Sequence, residues 1–154
     1  MAFGDKQAQK LIKLAQSQIS EPVIAAAIVS PKGKQGAMAL GGLAGMAIHA
    51  AAKSDTGFAS ANLVAVTDSA LYAFKASNNL GVKVKEPIGS WPWGAFGAST
   101  SSGAIAQFLF LGWVDGSVSE LEAHARGVNK FQGAVIDEIV RRAGAAGGIP
   151  PQPR

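Results

Sequence analysis

The chain of 154 residues contains no cysteine and only two histidines, His49 and His124. Without cysteine it cannot form disulfides, thiol-dependent catalytic centres or cysteine-based zinc sites, and its composition is compatible with a reducing cytoplasm. A metal site would need carboxylates to complete the coordination that two imidazoles begin. We therefore expect no metal and no other cofactor.

The common catalytic signatures are also missing from the sequence. No serine lies in a G-x-S-x-G elbow, and no glycine-rich loop has the spacing that cradles a phosphate. His124 has Glu122 and Arg126 as neighbours, which is the ordinary setting of a surface histidine. We expect a protein that is not an enzyme and has no catalytic residues.

Charged residues are few, at 16% of the chain, and 14 basic side chains stand against 10 acidic ones. The lysines are dispersed and do not form the dense basic stripe that nucleic-acid binding usually requires, so we expect no nucleic-acid partner. The first six residues lack the basic-then-apolar order of a signal peptide. We expect a cytoplasmic location, with membrane association as the alternative.

Residues 1–19 are predicted to form an N-terminal amphipathic helix. Leu11, Ala15 and Ile19 recur at four-residue spacing, and Lys10 and Lys13 take the other side. This pattern favours a helix that packs its apolar stripe on the domain. In the alternative, the helix lies on an anionic membrane surface and the two lysines contact the lipid.

An uncharged, glycine-rich run of 17 residues, 36–52, follows the first predicted strand and its exit at Pro31. A membrane span is disfavoured, because spanning needs about 20 predominantly apolar residues. Gly41 and Gly45 form a G-x-x-x-G spacing, which lets a second helix approach closely. We favour a small-residue helix that packs on protein, within the monomer or in an oligomer, over a glycine-rich loop. The self-association candidates are Leu40, Gly41, Gly45 and Met46.

The second half of the chain predicts about seven short antiparallel strands and a closing helix, an α+β class. A hairpin joins Leu63–Thr67 to Leu71–Phe74, and Asp115-Gly116 is a strong hairpin dipeptide. The helix is predicted over Asn129–Arg142, capped by Asn129 with Gln132. Its apolar stripe consists of Phe131, Val135 and Ile139. Residues 144–154 are predicted to be a flexible tail.

In this order of elements the chain resembles the bacterial pleckstrin-homology-like domains and their GRAM-type relatives. The residues that carry the resemblance are Val64–Phe74, Phe108–Ala123 and Asn129–Ile136. It implies a domain over residues 20–143: two antiparallel sheets packed as a sandwich or open barrel, plugged by the C-terminal helix. The run at 36–52 departs from the family pattern, because it replaces the short loop expected between the first two strands.

The resemblance also implies a ligand end. In its lipid-binding members, basic residues in and around the first inter-strand loop hold anionic head groups, and Lys32 and Lys34 lie in a comparable place here. Trp91 and Trp93 could anchor a partner or a membrane interface, since indole combines an apolar body with one N–H donor. For each of these four residues, ordinary solvation or core packing is the competing interpretation.

Two functions follow as hypotheses. The first is a binding or scaffold module that self-associates, or docks on a larger protein assembly, through its small-residue run. The alternative is peripheral binding to anionic lipid through the lysine-rich first helix and the first inter-strand loop.

Overall fold

The computed structural model describes residues 6–32, 57–77 and 82–151. Two helices, α1 and α2, span Lys6–Gln16 and Phe131–Ala145. The strands are β1 Ala25–Pro31, β2 Asn62–Val66, β3 Ala70–Ser77, β4 Lys83–Pro92, β5 Gly97–Ser102, β6 Ala106–Gly112 and β7 Val118–His124. The proposed self-association residues and Lys34 lie outside the described residues.

The seven strands form one open antiparallel sheet in the order β4-β3-β2-β1-β7-β6-β5. Strand β1 joins the two halves: Ala25 to Val29 pair with β2, whereas Ser30 and Pro31 pair with β7. The expected α+β class, with antiparallel strands and a C-terminal helix, is confirmed.

Helix α2 packs its predicted apolar stripe into the core. Phe131 is 3% exposed and Val135 and Ile139 are 0% exposed. The helix contacts β1, β5, β6 and β7. It therefore covers the half of the sheet formed by β7, β6 and β5. Burial of these side chains removes apolar surface from water and so stabilises this end of the domain.

The beginning of α2 differs from the prediction. The residue before the helix is Lys130, no side chain caps the helix, and Asn129 lies in a short 3₁₀ turn, Gly127–Asn129. Gln132 instead accepts a hydrogen bond from the Ile28 backbone N–H (2.8 Å) and donates one to the His124 carbonyl (2.7 Å). The amide therefore bridges β1 and β7, a tertiary use that outweighs local capping.

The end of α2 also differs from the prediction. The helix continues to Ala145, so the predicted tail over residues 144–154 begins inside it. Beyond the helix the chain turns back, and Gly148 donates a hydrogen bond from its N–H to the Ala143 carbonyl of the same helix (2.9 Å), which closes the helix end. The Pro151 carbonyl accepts a further hydrogen bond from the Ser99 hydroxyl (2.7 Å).

Helix α1 lies on the domain with its apolar side inward, as the pattern predicts. Leu11 and Ala15 are buried, and Lys10 and Lys13 are exposed. The helix ends at Gln16, earlier than predicted, and Ile19 is buried beyond it. The Gln16 side chain donates to two backbone carbonyls of the following turn and accepts from the Val23 N–H, which fixes the reversal into β1.

Candidate binding surface at the β1–β2 neck

Asn62 joins the end of β1 to the start of β2 at a place we call the neck, formed by Val29 on one side and residues 58–62 on the other. The Asn62 side chain is fully buried, and its amide donates to the carbonyls of Val29 (3.1 Å) and Ala59 (2.9 Å). Its carbonyl oxygen accepts from the Ala59 N–H (2.8 Å). One side chain thus ties the end of β1 to the residues that enter β2.

Aromatic side chains pack on the returning side of the neck. Phe58 is 0% exposed, and its ring centroid lies 6.0 Å from that of Trp91, which in turn lies 5.0 Å from that of Trp113. Aromatic pairs in this distance range add to the burial energy of each ring. Phe58 therefore anchors the residues ahead of β2 to the core.

Trp91 and Trp93, the two predicted anchors, both pack against the core as partly buried residues. The Trp93 indole N–H donates to the Thr67 carbonyl (2.9 Å), and its ring lies 5.7 Å from that of Phe96. The indole donor that would orient Trp93 at a membrane interface is therefore used inside the protein.

Lys32 directly follows β1, and both its backbone and its side chain contact Glu120 of β7. Its N–H donates to the Glu120 carbonyl (2.8 Å), and its Nζ lies 3.9 Å from Glu120 Oε1. The Nζ also lies 5.1 Å from the ring centroid of Phe108 and 5.2 Å from that of Phe110. These distances fit cation–π contacts, which favour a cation held over the ring faces.

Strand alternation explains this cluster. Leu109 and Leu111 of β6 belong to the core, so Phe108 and Phe110 between and beside them face the opposite side of the sheet. On this outer face Phe110 is directly opposite Glu120 of β7, and Phe108 is opposite Glu122. Phe110 is 0% exposed and Glu122 is 8% exposed, although both lie on the side away from the core.

The charge of this outer face argues against a phosphate site around Lys32. A bound anion would meet the Glu120 and Glu122 carboxylates as well as the Lys32 ammonium group, and like charges repel it. The exposed Lys10 and Lys13 lie on α1, which contacts β1, β2 and β4, whereas Lys32 is joined to β7. The predicted lysines are therefore spread over different elements.

A second polar cluster fixes the entry to β1. The Glu21 carboxylate accepts hydrogen bonds from the hydroxyls of Ser69 and Tyr72, each at 2.7 Å. The Ser69 hydroxyl, followed by that of Tyr72, lowers the pKa of Glu21 from 4.5 to about 2. The same contact with Glu21 raises the pKa of Tyr72. This cluster joins the chain ahead of β1 to the β2–β3 hairpin.

Sequence reasoning did not identify Asn62, Phe58 or Glu21. The only local signal was that a polar Asn stands at the start of a strongly apolar strand, NLVAV, all five residues of which are buried. A buried amide at such a position must find hydrogen-bond partners, so this Asn indicates a structural hydrogen-bond cluster.

Within residues 6–32, 57–77 and 82–151, no group of three or more His, Asp or Glu side chains could hold a metal ion. No helix in those same ranges combines the length and apolarity needed to cross a bilayer. A scan against protein-family models gives no match for the chain, and a search of curated proteins finds no similar sequence.

Proposed function

We propose that this protein is a non-enzymatic binding module of pleckstrin-homology-like type, which docks on protein through residues 36–52, with a second copy of the same chain as its first partner. The observation that carries the proposal is the neck. Asn62 and Phe58 fix the described residues on either side of residues 33–56, the end of β1 and the entry to β2, to the sheet and its core. Such a base lowers the entropy cost of presenting a docking element.

Two features support the pleckstrin-homology-like part of the proposal. Strand β1 is shared between the two halves of the sheet, and the buried stripe of α2 fills the space beside β5, β6 and β7. A C-terminal helix that plugs the sheet is what the family pattern implies for this chain. Fold alone does not define function, so the docking role depends on the composition of residues 36–52 and on the neck.

Composition explains why protein is the preferred partner. The run of 17 residues from 36 to 52 is uncharged, and Gly41 and Gly45 are spaced for close helix contact. It offers no charge for a phosphate, and the nearest described lysine, Lys32, is engaged by Glu120. Small side chains favour association by close backbone approach, and an identical copy supplies a matching surface.

The test replaces Gly41 and Gly45 together by Leu and measures molar mass by light scattering over a range of concentrations. We expect wild type to exceed the 15.7 kDa of one chain and the double variant to approach it. Gly144→Leu is the matched control, because Gly144 is exposed and a Cβ atom there would have nothing within 4 Å. Equal masses for wild type and the double variant would remove the proposal.

Exposed Lys10 and Lys13 support a second candidate function, peripheral binding to anionic lipid. Flotation with vesicles that contain phosphatidylserine, at low and at high salt, tests it. Binding at low salt that is lost on Lys10→Gln with Lys13→Gln supports this function, because salt screens such contacts. No flotation at low salt excludes it.

A further inference from the structure

The two edges of the sheet are protected in different ways. Strand β4 carries Lys83, Lys85 and Pro87, and its register with β3 shifts around Phe74. Lysine, proline and bulges all discourage pairing with a foreign strand. Strand β5 reads GASTSS and has neither charge nor proline, so its sequence offers no such protection.

The chain passes the start of β5 immediately after α2. A Cβ atom at Gly97 would lie 1.7 Å from the Ile149 carbonyl oxygen, and one at Gly148 would lie 2.1 Å from the Phe96 carbonyl oxygen. Real side chains do not tolerate such distances, so this close backbone approach requires glycine at both positions. We call residues 147–151 the strap.

The strap then continues onto the outer face of the sheet. Ala98 and Leu111 face the core, so their neighbours Gly97 and Gly112, which are paired with each other, face outward. The Pro151 ring lies 3.3 Å from where a Cβ atom on Gly112 would be. The hydrogen bond from Ser99, also on the outer face, to the Pro151 carbonyl holds this end.

The strap therefore passes the start of β5, beside Phe96 and Gly97, on its way from the end of α2 to the outer face. A strand approaching this end of β5 in the plane of the sheet would collide with it. We propose that the strap blocks the β5 edge, and that its release lets β5 of a second copy pair antiparallel with β5 of the first.

Three observations favour a second copy as the occupant. Two GASTSS strands related by a two-fold axis bring no like charges together. Unpaired backbone groups along an edge are satisfied by any extended strand, and an identical strand matches in length. Val114, 98% exposed, lines an open groove of about 610 Å³ beside the strap and is available for burial between copies.

Gly97→Val tests the proposal in the full chain, because the new side chain occupies the place of the Ile149 carbonyl while suiting a strand. Gly112→Val is a second variant, which crowds the Pro151 ring on the same outer face. Limited proteolysis, with cleavage within residues 147–151 identified by mass spectrometry, reports release of the strap. We expect faster cleavage and a higher molar mass than wild type at the same concentration.

Two controls make the result specific. Gly144→Ala adds a side chain where nothing lies within 4 Å and is expected to keep both wild-type mass and the wild-type cleavage rate. Adding Ser101→Lys to Gly97→Val is expected to restore wild-type mass, because a lysine on the edge opposes strand pairing. Faster cleavage with unchanged mass, a strap cleaved no faster than in wild type in both variants, or a mass that Ser101→Lys leaves raised would each overturn the proposal.

Discussion

The buried side-chain amide of Asn62 donates a hydrogen bond to the carbonyl of Val29, 33 residues earlier in the chain. Val29 and Asn62 are also register partners in the β1–β2 pair, so this contact closes the connection where it leaves the sheet. The hydrogen bonds of Asn62 lie among apolar residues, where a buried polar group without a partner lowers the stability of the fold. These hydrogen bonds therefore fix the position of the neck relative to the sheet.

Removing the Asn62 amide is expected to destabilise the fold. Asn62→Ala leaves the Val29 carbonyl and the Ala59 backbone groups without these partners, and should lower the free energy of unfolding by about 2 kcal/mol or more. Urea denaturation followed by tryptophan fluorescence measures it. Ser102→Ala, at an exposed position of β5, is the control and should change stability little. If Asn62→Ala lowers the free energy of unfolding by less than about 0.5 kcal/mol, the Asn62 hydrogen bonds do not stabilise the fold as proposed.

The bridge made by Gln132 gives a second prediction. Gln132→Ala removes both bonds of a 4% exposed side chain, to the Ile28 N–H and to the His124 carbonyl. We expect a loss of about 2 kcal/mol in urea denaturation, because both backbone groups lose a partner between β1 and β7. Gln18→Ala, at an exposed glutamine, should be nearly neutral. Equal effects of the two substitutions would show that the bridge contributes nothing.

The core contact of α2 gives a third prediction. Ile139→Ala should cost about 2–5 kcal/mol, as expected for truncating a fully buried aliphatic side chain. Val128→Ala is the control, because Val128 is 68% exposed in the 3₁₀ turn before the helix and should be nearly neutral. Thermal unfolding by circular dichroism distinguishes the two. Similar melting temperatures would mean that α2 does not close the core.

Acid stability should depend on Glu21. Its pKa is lowered from 4.5 to about 2 in the folded protein, mainly by the Ser69 and Tyr72 hydroxyls. Because the folded pKa is the lower one, ionised Glu21 stabilises the fold above the unfolded pKa, and this contribution is lost as pH falls towards the folded pKa. Urea midpoints between pH 4.5 and 2 should fall less steeply for Glu21→Gln than for wild type.

Ser69→Ala refines the acid experiment, because it removes the largest cause of the shift and keeps the carboxylate. We expect its pH dependence to lie between those of wild type and Glu21→Gln. Parallel curves for all three proteins would show that this hydrogen-bond cluster does not set the pKa of Glu21.

Local pattern predicted the elements of the second half well. The predicted strands Leu63–Thr67 and Leu71–Phe74 match β2 and β3, and the stripe of α2 is buried as expected. These features follow from the alternation and periodicity of neighbouring residues, which a sequence displays directly. The order of the strands in the sheet could not be predicted from local pattern, because β1 pairs with β7 about 90 positions away.

The polar contacts were less predictable than the elements. Gln132 carries a local capping signal but bonds to Ile28, 104 residues away, since burial beside β1 offers its amide a better set of partners. The strap was predicted as a flexible tail because its Gly and Pro content is typical of disordered ends. The strap packs against Gly97 and Gly112, two glycines within strands. The sequence does not show that these two glycines lie side by side, because their pairing depends on the folded sheet.

The molar mass of the full-length protein in solution is the most direct test of the proposed docking function. Light scattering should give a multiple of 15.7 kDa for wild type and for Gly144→Leu, and a value near 15.7 kDa when Gly41 and Gly45 are both Leu. A wild-type protein that stays at 15.7 kDa at every concentration, or a double variant that assembles as wild type does, would contradict self-association through residues 36–52.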